Sequence, residues 1–369
     1  MKLVCSKSNL LNGVQIVSKA VSNKTTMSIL ECVMIDATKG SITLTANDMD
    51  LGIETIIEGD IIEKGAIALD AKIFLEIVRK LPDSNITIET DSSFKTIITC
   101  EKAKFNIIGK SGEDFSYLPV VEKNDSIIIS QFTLKEVIRQ TIFSIADNDN
   151  NKLMTGELFE INGDTLKVVS LDGHRISIRK IQLKNSYSPK KVIVPGKTLN
   201  EVSKILPGGA DNDVIISFTD KHIVFEFGNT TVVSRLIEGE YFRIDQMLSN
   251  DYETKVKINK KEFLNCIDRA TLLVKEGDKK PIIINILDGT MELKINSILG
   301  SMNEDIDIEK QGKDLMIGFN PKFLIDALRV IDDEDVDLYM VNPKAPCFIK
   351  NQEESYIYLI LPVNFTTVS

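Results

Sequence analysis

The chain has 369 residues, too long for one ordinary hydrophobic core, so two or three domains are expected. Hydrophobic residues at 43% and charged residues at 27% are globular values and argue against a long disordered tail, while no apolar run approaches the roughly 18 residues a membrane span needs. The net charge of −10 speaks against a uniformly basic nucleic-acid binder, so any phosphate-binding surface has to be local.

In chain order, the N-terminal stretch Met1–Asn9 has no apolar leader, so export is not expected, and the scattered cysteines set the expectation of a cytoplasmic protein. A short strand at Leu3-Val4 leads into an apolar-periodic helix over 7–21, carrying Leu11 and Val14. Lys39-Gly40 marks a hairpin before the alternating run Ile42-Thr-Leu-Thr45, and a second helix follows over 72–81. The polar stretch Glu122–Asp125 interrupts the pattern. It then restarts: a strand at Ile127–Ile129, a helix over 134–145 with Leu134 and Val137, a hairpin signal at Asn162-Gly163 before Leu166-Lys-Val-Val169, and a helix over 197–206. After the polar Ser249–Glu253 it restarts once more, with a strand at Val256–Ile258, a helix over 260–274, Asp288-Gly289 before Met291-Glu-Leu-Lys-Ile295, and a helix over 322–331. The last element is the apolar run Tyr356–Pro362, which reads as a final strand.

These elements form a threefold repeat. Lys72–Leu81, Lys197–Leu206 and Lys322–Ile331 align without gaps at a step of 125 residues. A base (Lys72, Lys197, Lys322), an acid (Glu76, Glu201, Asp326), a second base (Arg79, Lys204, Arg329) and an aliphatic end residue coincide in all three. The fold class is α+β, with three homologous domains at 1–122, 126–248 and 254–369. Each reads as a pair of βαβββ units whose antiparallel sheets are covered by helices on one face.

Charge is segregated along this repeat. The six predicted helices carry fourteen bases against six acids, a balance of +8, which leaves −18 on the rest of the chain. Lys72, Arg79, Lys80, Lys135, Arg139, Lys197, Lys204, Lys322 and Arg329 are among the bases. Bases flanking an acid at helical spacing also suit intrahelical ion pairs on a solvated face. What favours a phosphate surface is that the excess falls on every helix of the repeat while strands and loops are acidic.

Geometry limits what such helices can surround. A domain of this size has a radius of gyration of ~14 Å, a sphere roughly 35 Å across. Three such spheres in a ring leave a hole of ~5 Å, four leave ~15 Å and six leave ~35 Å. A duplex about 20 Å across therefore needs six domains, that is, two chains closing head to tail.

Chemistry is sparse by comparison. Cys5, Cys32, Cys100, Cys266 and Cys347 are scattered without a Cys-x-x-Cys spacing and read as reduced core residues, and two histidines, His174 and His222, cannot make a His-rich metal site. No metal or cofactor is implied. Asp172-Gly-His174 has no accompanying nucleophile motif, so no enzyme activity is expected.

Leu171-Asp-Gly-His-Arg-Ile176, followed by Val194-Pro-Gly-Lys197, Leu248 and the C-terminal Leu361-Pro-Val363, resembles the bacterial DNA polymerase III beta subunit family over essentially the whole chain. The resemblance implies a homodimeric ring threaded by duplex DNA and loaded by a clamp loader, which tethers the replicative polymerase and other partners and has no membrane association. Partners would insert a short peptide into a groove of Met154, Leu171, Gly173, His174, Arg175, Ile176, Phe242, Gln246 and Met247. The third domain would add Leu359, Leu361, Pro362, Val363, Asn364 and Phe365 to it. Phe242 stands where the family usually has Pro, Asn364 where it has Arg, and the chain runs on through Thr366–Ser369. The resemblance also places DNA contacts at Lys24 and Lys197, and a dimer contact of Phe105 and Ile107 with Leu272 and Leu273 of the next chain, residues that equally suit an ordinary core. The rival reading is a scaffold without DNA, built on the same module.

Overall fold

The computed structural model describes residues 1–22, 25–115, 118–119, 121, 125–147, 150–274 and 280–365. Among these, six α-helices occur: α1 (Lys7–Val17), α2 (Ala71–Lys80), α3 (Gln131–Thr141), α4 (Gly196–Ile205), α5 (Lys260–Thr271) and α6 (Pro321–Val330). Most begin on a side-chain cap that satisfies a first-turn N–H. Ser6 accepts from Asn9 N, Asp70 from Ile73 N, Asn259 from Lys261 N and Asn320 from Lys322 N. Ser130 Oγ does the same for Thr133 N at 3.1 Å, which starts α3 ahead of the apolar periodicity at Leu134. The first helix ends at Val17 and passes into a 3-10 turn, Ser18–Ala20, short of the predicted 21. Likewise α5 stops at Thr271.

By its contacts the chain divides into two compact units, Met1–Leu134 with Lys197–Leu236, and Lys135–Gly196 with Ile237–Ser369. The first unit holds a five-stranded sheet in the order Asp60–Glu63, Lys2–Ser6, Asn85–Thr90, Lys95–Cys100, Ala103–Ile108. Its eight-stranded sheet runs Asp125–Ser130, Asp213–Phe218, His222–Phe227, Thr230–Arg235, Leu51–Ile57, Ile42–Asn47, Cys32–Asp36, Ala66–Asp70. Leu10, Val14 and Val17 of α1, with Phe74 and Val78 of α2, are buried, the apolar stripe of an amphipathic helix.

The second unit holds a seven-stranded sheet, Gly156–Leu171, Arg175–Pro195, Tyr356–Ile360, Cys347–Lys350, Asp335–Met340, Thr254–Asn259, Glu309–Gly312. Its four-stranded sheet runs Gly300–Asp307, Thr290–Ser297, Ile282–Leu287, Leu315–Phe319. Phe263, Cys266, Ile267 and Ala270 of α5 and Leu324 and Leu328 of α6 share one buried cluster with these strands.

The middle repeat is thus shared between units, because sheets run from one repeat into the next. Leu51–Ile57 pairs with Thr230–Arg235 through Gly52↔Val233, and Arg175–Pro195 pairs with Tyr356–Ile360 through Ile176↔Leu359. Gly40 (φ 90°) and Gly289 (φ 73°) turn between separate strands as expected. Gly163 (φ 60°) instead lies inside the continuous strand Gly156–Leu171, where its register against Arg175–Pro195 slips. Of the predicted linker stretch Glu122–Asp125, residues 122–124 lie outside the described residues, and Asp125 already opens a strand. All five cysteines are buried and unpaired, and burial pushes the thiols of Cys5, Cys266 and Cys347 up to about 12. No helix among the described residues is long and apolar enough to cross a membrane.

Candidate functional site

In the second unit, pairing of Arg175–Pro195 with Tyr356–Ile360 sets Ile176 beside Leu359 and Ile178 beside Ile357. These four join Leu158, Val169, Leu171, Ile193, Ile244 and Phe348 in one apolar cluster, against which Leu153, Met154, Ile237, Tyr241, Phe242 and Leu248 pack half-buried. Exposed apolar residues at its border, Met247 and Leu361, leave greasy surface facing solvent, the usual mark of a partner site. Tyr241 and Phe242 meet edge to face with ring centroids 5.6 Å apart, and Tyr241 donates to Val169 O at 3.4 Å. Burial raises the Tyr241 phenol well above its ordinary value.

Of the proposed groove residues, Met154, Leu171, Ile176, Phe242 and Leu359 come together in this cluster. Gln246 and Met247 are exposed on the 3-10 turn Ile244–Met247. The C-terminal segment takes a second course: Leu361 N donates to His174 O (2.9 Å), Val363 N to Gly318 O (2.8 Å), and Phe365 lies over Gly318, where a Cβ would come within 2.6 Å of its ring. The glycine is what lets the segment lie flat on the strand Leu315–Phe319. Pro362 is half-buried and Asn364 exposed, while Thr366–Ser369 lie outside the described residues.

The turn Leu171–Ile176 is built by its own side chains. Asp172 Oδ1 accepts from His174 N (2.9 Å) and Arg175 N (3.1 Å), and Gly173 takes φ 87°, a left-handed conformation glycine adopts without strain. His174 is exposed, with its ring stacked on Phe323 at 6.1 Å. Arg175 does not line the surface, since its side chain is 6% exposed. Its Nε donates to Asp172 Oδ2 (2.9 Å), Nη1 to Asp326 Oδ2 (2.7 Å) and Nη2 to Phe143 O (2.6 Å), with the guanidinium 4.5 Å above the Phe323 ring. It braces the turn from below. Sequence reasoning missed Tyr241 and Ile244, whose only signal is apolar residues in a segment without period.

The helix-borne bases are placed as follows. In the first unit a cleft of about 590 Å³ is lined by the bases Lys19, Lys72, Arg79 and Lys204 and the acids Glu31 and Asp70, with Asn12 and Gln15 of α1. Arg79 pairs with Glu76, Lys204 with Glu201 (2.8 Å) and Lys197 with Asp48. Lys72 and Lys80 are exposed and make no ion pair among the described residues. In the second unit Arg139 pairs with Glu136 (2.6 Å) and Asp332 (3.3 Å), Lys322 with Asp326 (2.7 Å) and Arg329 with Asp268 (3.4 Å). Lys135 is half-buried and also engaged. The intrahelical pairing allowed by the sequence is therefore realised beside the converging bases. Lys24 lies outside the described residues.

Phe105 (38% exposed) and Leu272 (78% exposed) are not core residues; Ile107 and Leu273 are half-buried. Among the described residues no cluster of three or more His, Cys, Asp or Glu side chains could hold a metal ion.

Three α+β repeats with helix-borne bases, joined through continuous sheets, make this a protein of the DNA-clamp fold. Models of the N-terminal, central and C-terminal domains of the DNA polymerase III beta subunit match residues 1–119, 128–242 and 245–364. The chain belongs to that family, the bacterial beta sliding clamps. It is 34% identical to the beta sliding clamp of Staphylococcus aureus over 94% of each chain. A crystal structure of a putative DNA polymerase III beta subunit from Eubacterium rectale is 77% identical, with a TM-score of 0.97 over 99% of this chain and 100% of that one. The DNA polymerase sliding clamp of Bacillus subtilis is 34% identical, with a TM-score of 0.95 over the same shares.

Proposed function

We propose that two copies of this chain close head to tail into a ring around duplex DNA. The ring binds without reading sequence, catalyses nothing itself, and acts in the cytoplasm. It tethers the replicative polymerase, the clamp loader and further partners through the exposed apolar surface of Met247 and Leu361 that borders the cluster of Ile176 and Leu359. The domains at 1–122, 126–248 and 254–369 would then supply six modules around the duplex.

The observation that carries this reading is a pair of unlike open sheet edges. Strand Ala103–Ile108 ends the five-stranded sheet with Phe105 and Ile108 exposed, the latter at 84%, and with Lys102 and Lys104 beside them. Strand Gly300–Asp307 ends the four-stranded sheet with Asp305 and Asp307 exposed, Glu304 beside them being held by Arg269, and Leu273 lies 4.0 Å from the Cβ position of Gly300. Long open edges with apolar side chains invite strand pairing, and one basic and one acidic edge favour each other over themselves. Two unlike surfaces on one chain give a heterologous contact, and a half-turn between copies is the rotation at which such a contact closes into a two-chain ring and not a filament.

The test is topological. Loaded on nicked circular DNA, the protein should remain bound at high salt and slide off once the circle is cut. Equal retention on linear and circular DNA, or a solution mass of one 41.2 kDa chain at micromolar concentration, would overturn the ring.

A further inference from the structure

One carboxylate oxygen in the second unit serves two cations. Asp326 Oδ2 accepts from Arg175 Nη1 and from Lys322 Nζ, each at 2.7 Å. Lys322 stands 68% exposed on α6, whereas Arg175 is buried beneath the turn Leu171–Ile176. A solvent-facing base and a buried guanidinium therefore compete for the same lone pairs. We propose that Asp326 is a positioning residue that couples phosphate binding at Lys322 to the ordering of the apolar partner surface. This rests on the reading that duplex DNA meets α6.

The exposed Lys322 pair is weak because water screens it, so a duplex phosphate can draw the ammonium away. Asp326 Oδ2 is then left to Arg175 alone, and that charge-assisted bond strengthens. Arg175 passes the effect on through groups it already holds. It binds Asp172, which caps the turn, it binds Phe143 O, and it lies on Phe323, against which His174 stacks. His174 O in turn anchors Leu361 N at the border of the apolar surface. A more firmly held turn means less ordering left for an incoming peptide.

A shorter form of the same linkage occurs in the first unit. Asp48 accepts from Leu51 N through Oδ1 (2.8 Å), as Asp172 does from Arg175 N, and its Oδ2 binds Lys197 of α4, the repeat counterpart of Lys322. A helix-start base tied to a turn carboxylate is thus a feature of both strand junctions, direct in one and relayed through Arg175 and Asp326 in the other.

Amide hydrogen exchange at Leu361, read by NMR on the intact protein with and without a short duplex oligonucleotide, tests this. Saturating duplex should slow Leu361 exchange about fivefold, the low end of ordinary coupling between sites. Lys322→Gln should exchange slowly without DNA and respond no further. Asp326→Asn should exchange fast and stay unresponsive while still binding duplex through the other helices, an outcome that mere loss of structure would not produce alongside the Lys322→Gln result. A wild-type protein that binds duplex with Leu361 unchanged, or an Asp326→Asn variant that responds like wild type, overturns the coupling. Absence of duplex binding at any salt concentration would overturn the ring reading as well, and is told apart by the binding curve itself.

Discussion

Leu118 lies over Gly52, so that a Cβ built on the glycine would overlap Cδ2 of the leucine. Gly52 faces Val233 across its strand pair as Ile176 faces Leu359, and Arg235 N donates to Asp50 O as Leu361 N does to His174 O, both at 2.9 Å. The two positions are equivalent in the repeat. Where the second junction presents an isoleucine side chain, the first leaves a gap that the chain fills with its own leucine. Gly52→Ala should therefore displace Leu118 and cost about 1–3 kcal/mol through overpacking. Leu118→Ala should cost about 1–2 kcal/mol in lost burial. The double variant should be less damaged than the sum by roughly 1 kcal/mol, because the new methyl occupies vacated space. Urea denaturation of the four proteins measures this, and strict additivity would refute the contact.

Glu157, in the strand Gly156–Leu171, is fully buried, and neither of its carboxylate oxygens has a hydrogen-bond partner among the described residues. Thr141, its neighbour, already donates to Val137 O at 2.7 Å. Burial pushes the Glu157 carboxyl from 4.5 up to about 8, with Thr141 opposing weakly. The native state thus keeps a proton that the unfolded chain gives up at far lower pH. The resulting stability is fully present below about pH 4.5 and is lost as pH rises through about 8. Glu157→Gln should flatten that decline, raising Tm at pH 8 far more than at pH 5. Parallel Tm profiles for the two proteins would refute it.

The repeat and its helices were legible in the sequence because helical periodicity and a 125-residue step are local signals read three times over. Helix α3 was misplaced by three residues because its start is fixed by the Ser130 cap and not by the first apolar residue. The site was legible only in part. Leu171, Ile176 and Leu359 are reached through the family resemblance of their motifs, since their strand ends are buried on both faces and show no alternation, while Tyr241 and Ile244 lie in a segment without period. Arg175 reads as a surface residue until Asp326, 151 positions away, is brought beneath it. Apolar residues such as Phe105 and Leu272 have the same composition in a core as on an open edge, so only exposure separates the two.

That exposure makes the edge residues separable from folding. Ile108 and Leu272 are 84% and 78% exposed in the single chain, so replacing them removes little intrachain packing. Ile108→Ser with Leu272→Ser should weaken dimerisation at least about tenfold, as expected for apolar anchors of an interface. The Tm of the dissociated chain should move by no more than surface substitutions usually do. Sedimentation over a concentration series, paired with thermal unfolding, separates these effects. An unchanged dimer constant would remove these edges from the interface.

The bases on α2 and α4 differ in how freely they can meet phosphate. Lys72 and Lys80 make no ion pair among the described residues, whereas Lys204 is held by Glu201 at 2.8 Å. An unpaired ammonium releases a counterion when it meets DNA without first giving up a carboxylate, so its removal should show directly in the salt dependence. Lys72→Gln and Lys80→Gln should each weaken duplex binding and reduce the slope of log K against log salt by about 1. Lys204→Gln should weaken binding further than its share of the slope, because it leaves Glu201 unpaired beside the phosphates. Glu201→Gln should do the reverse and tighten binding. Equal slopes for wild type and Lys72→Gln would place the cleft formed by Lys19, Lys72, Arg79 and Lys204 off the path of the duplex.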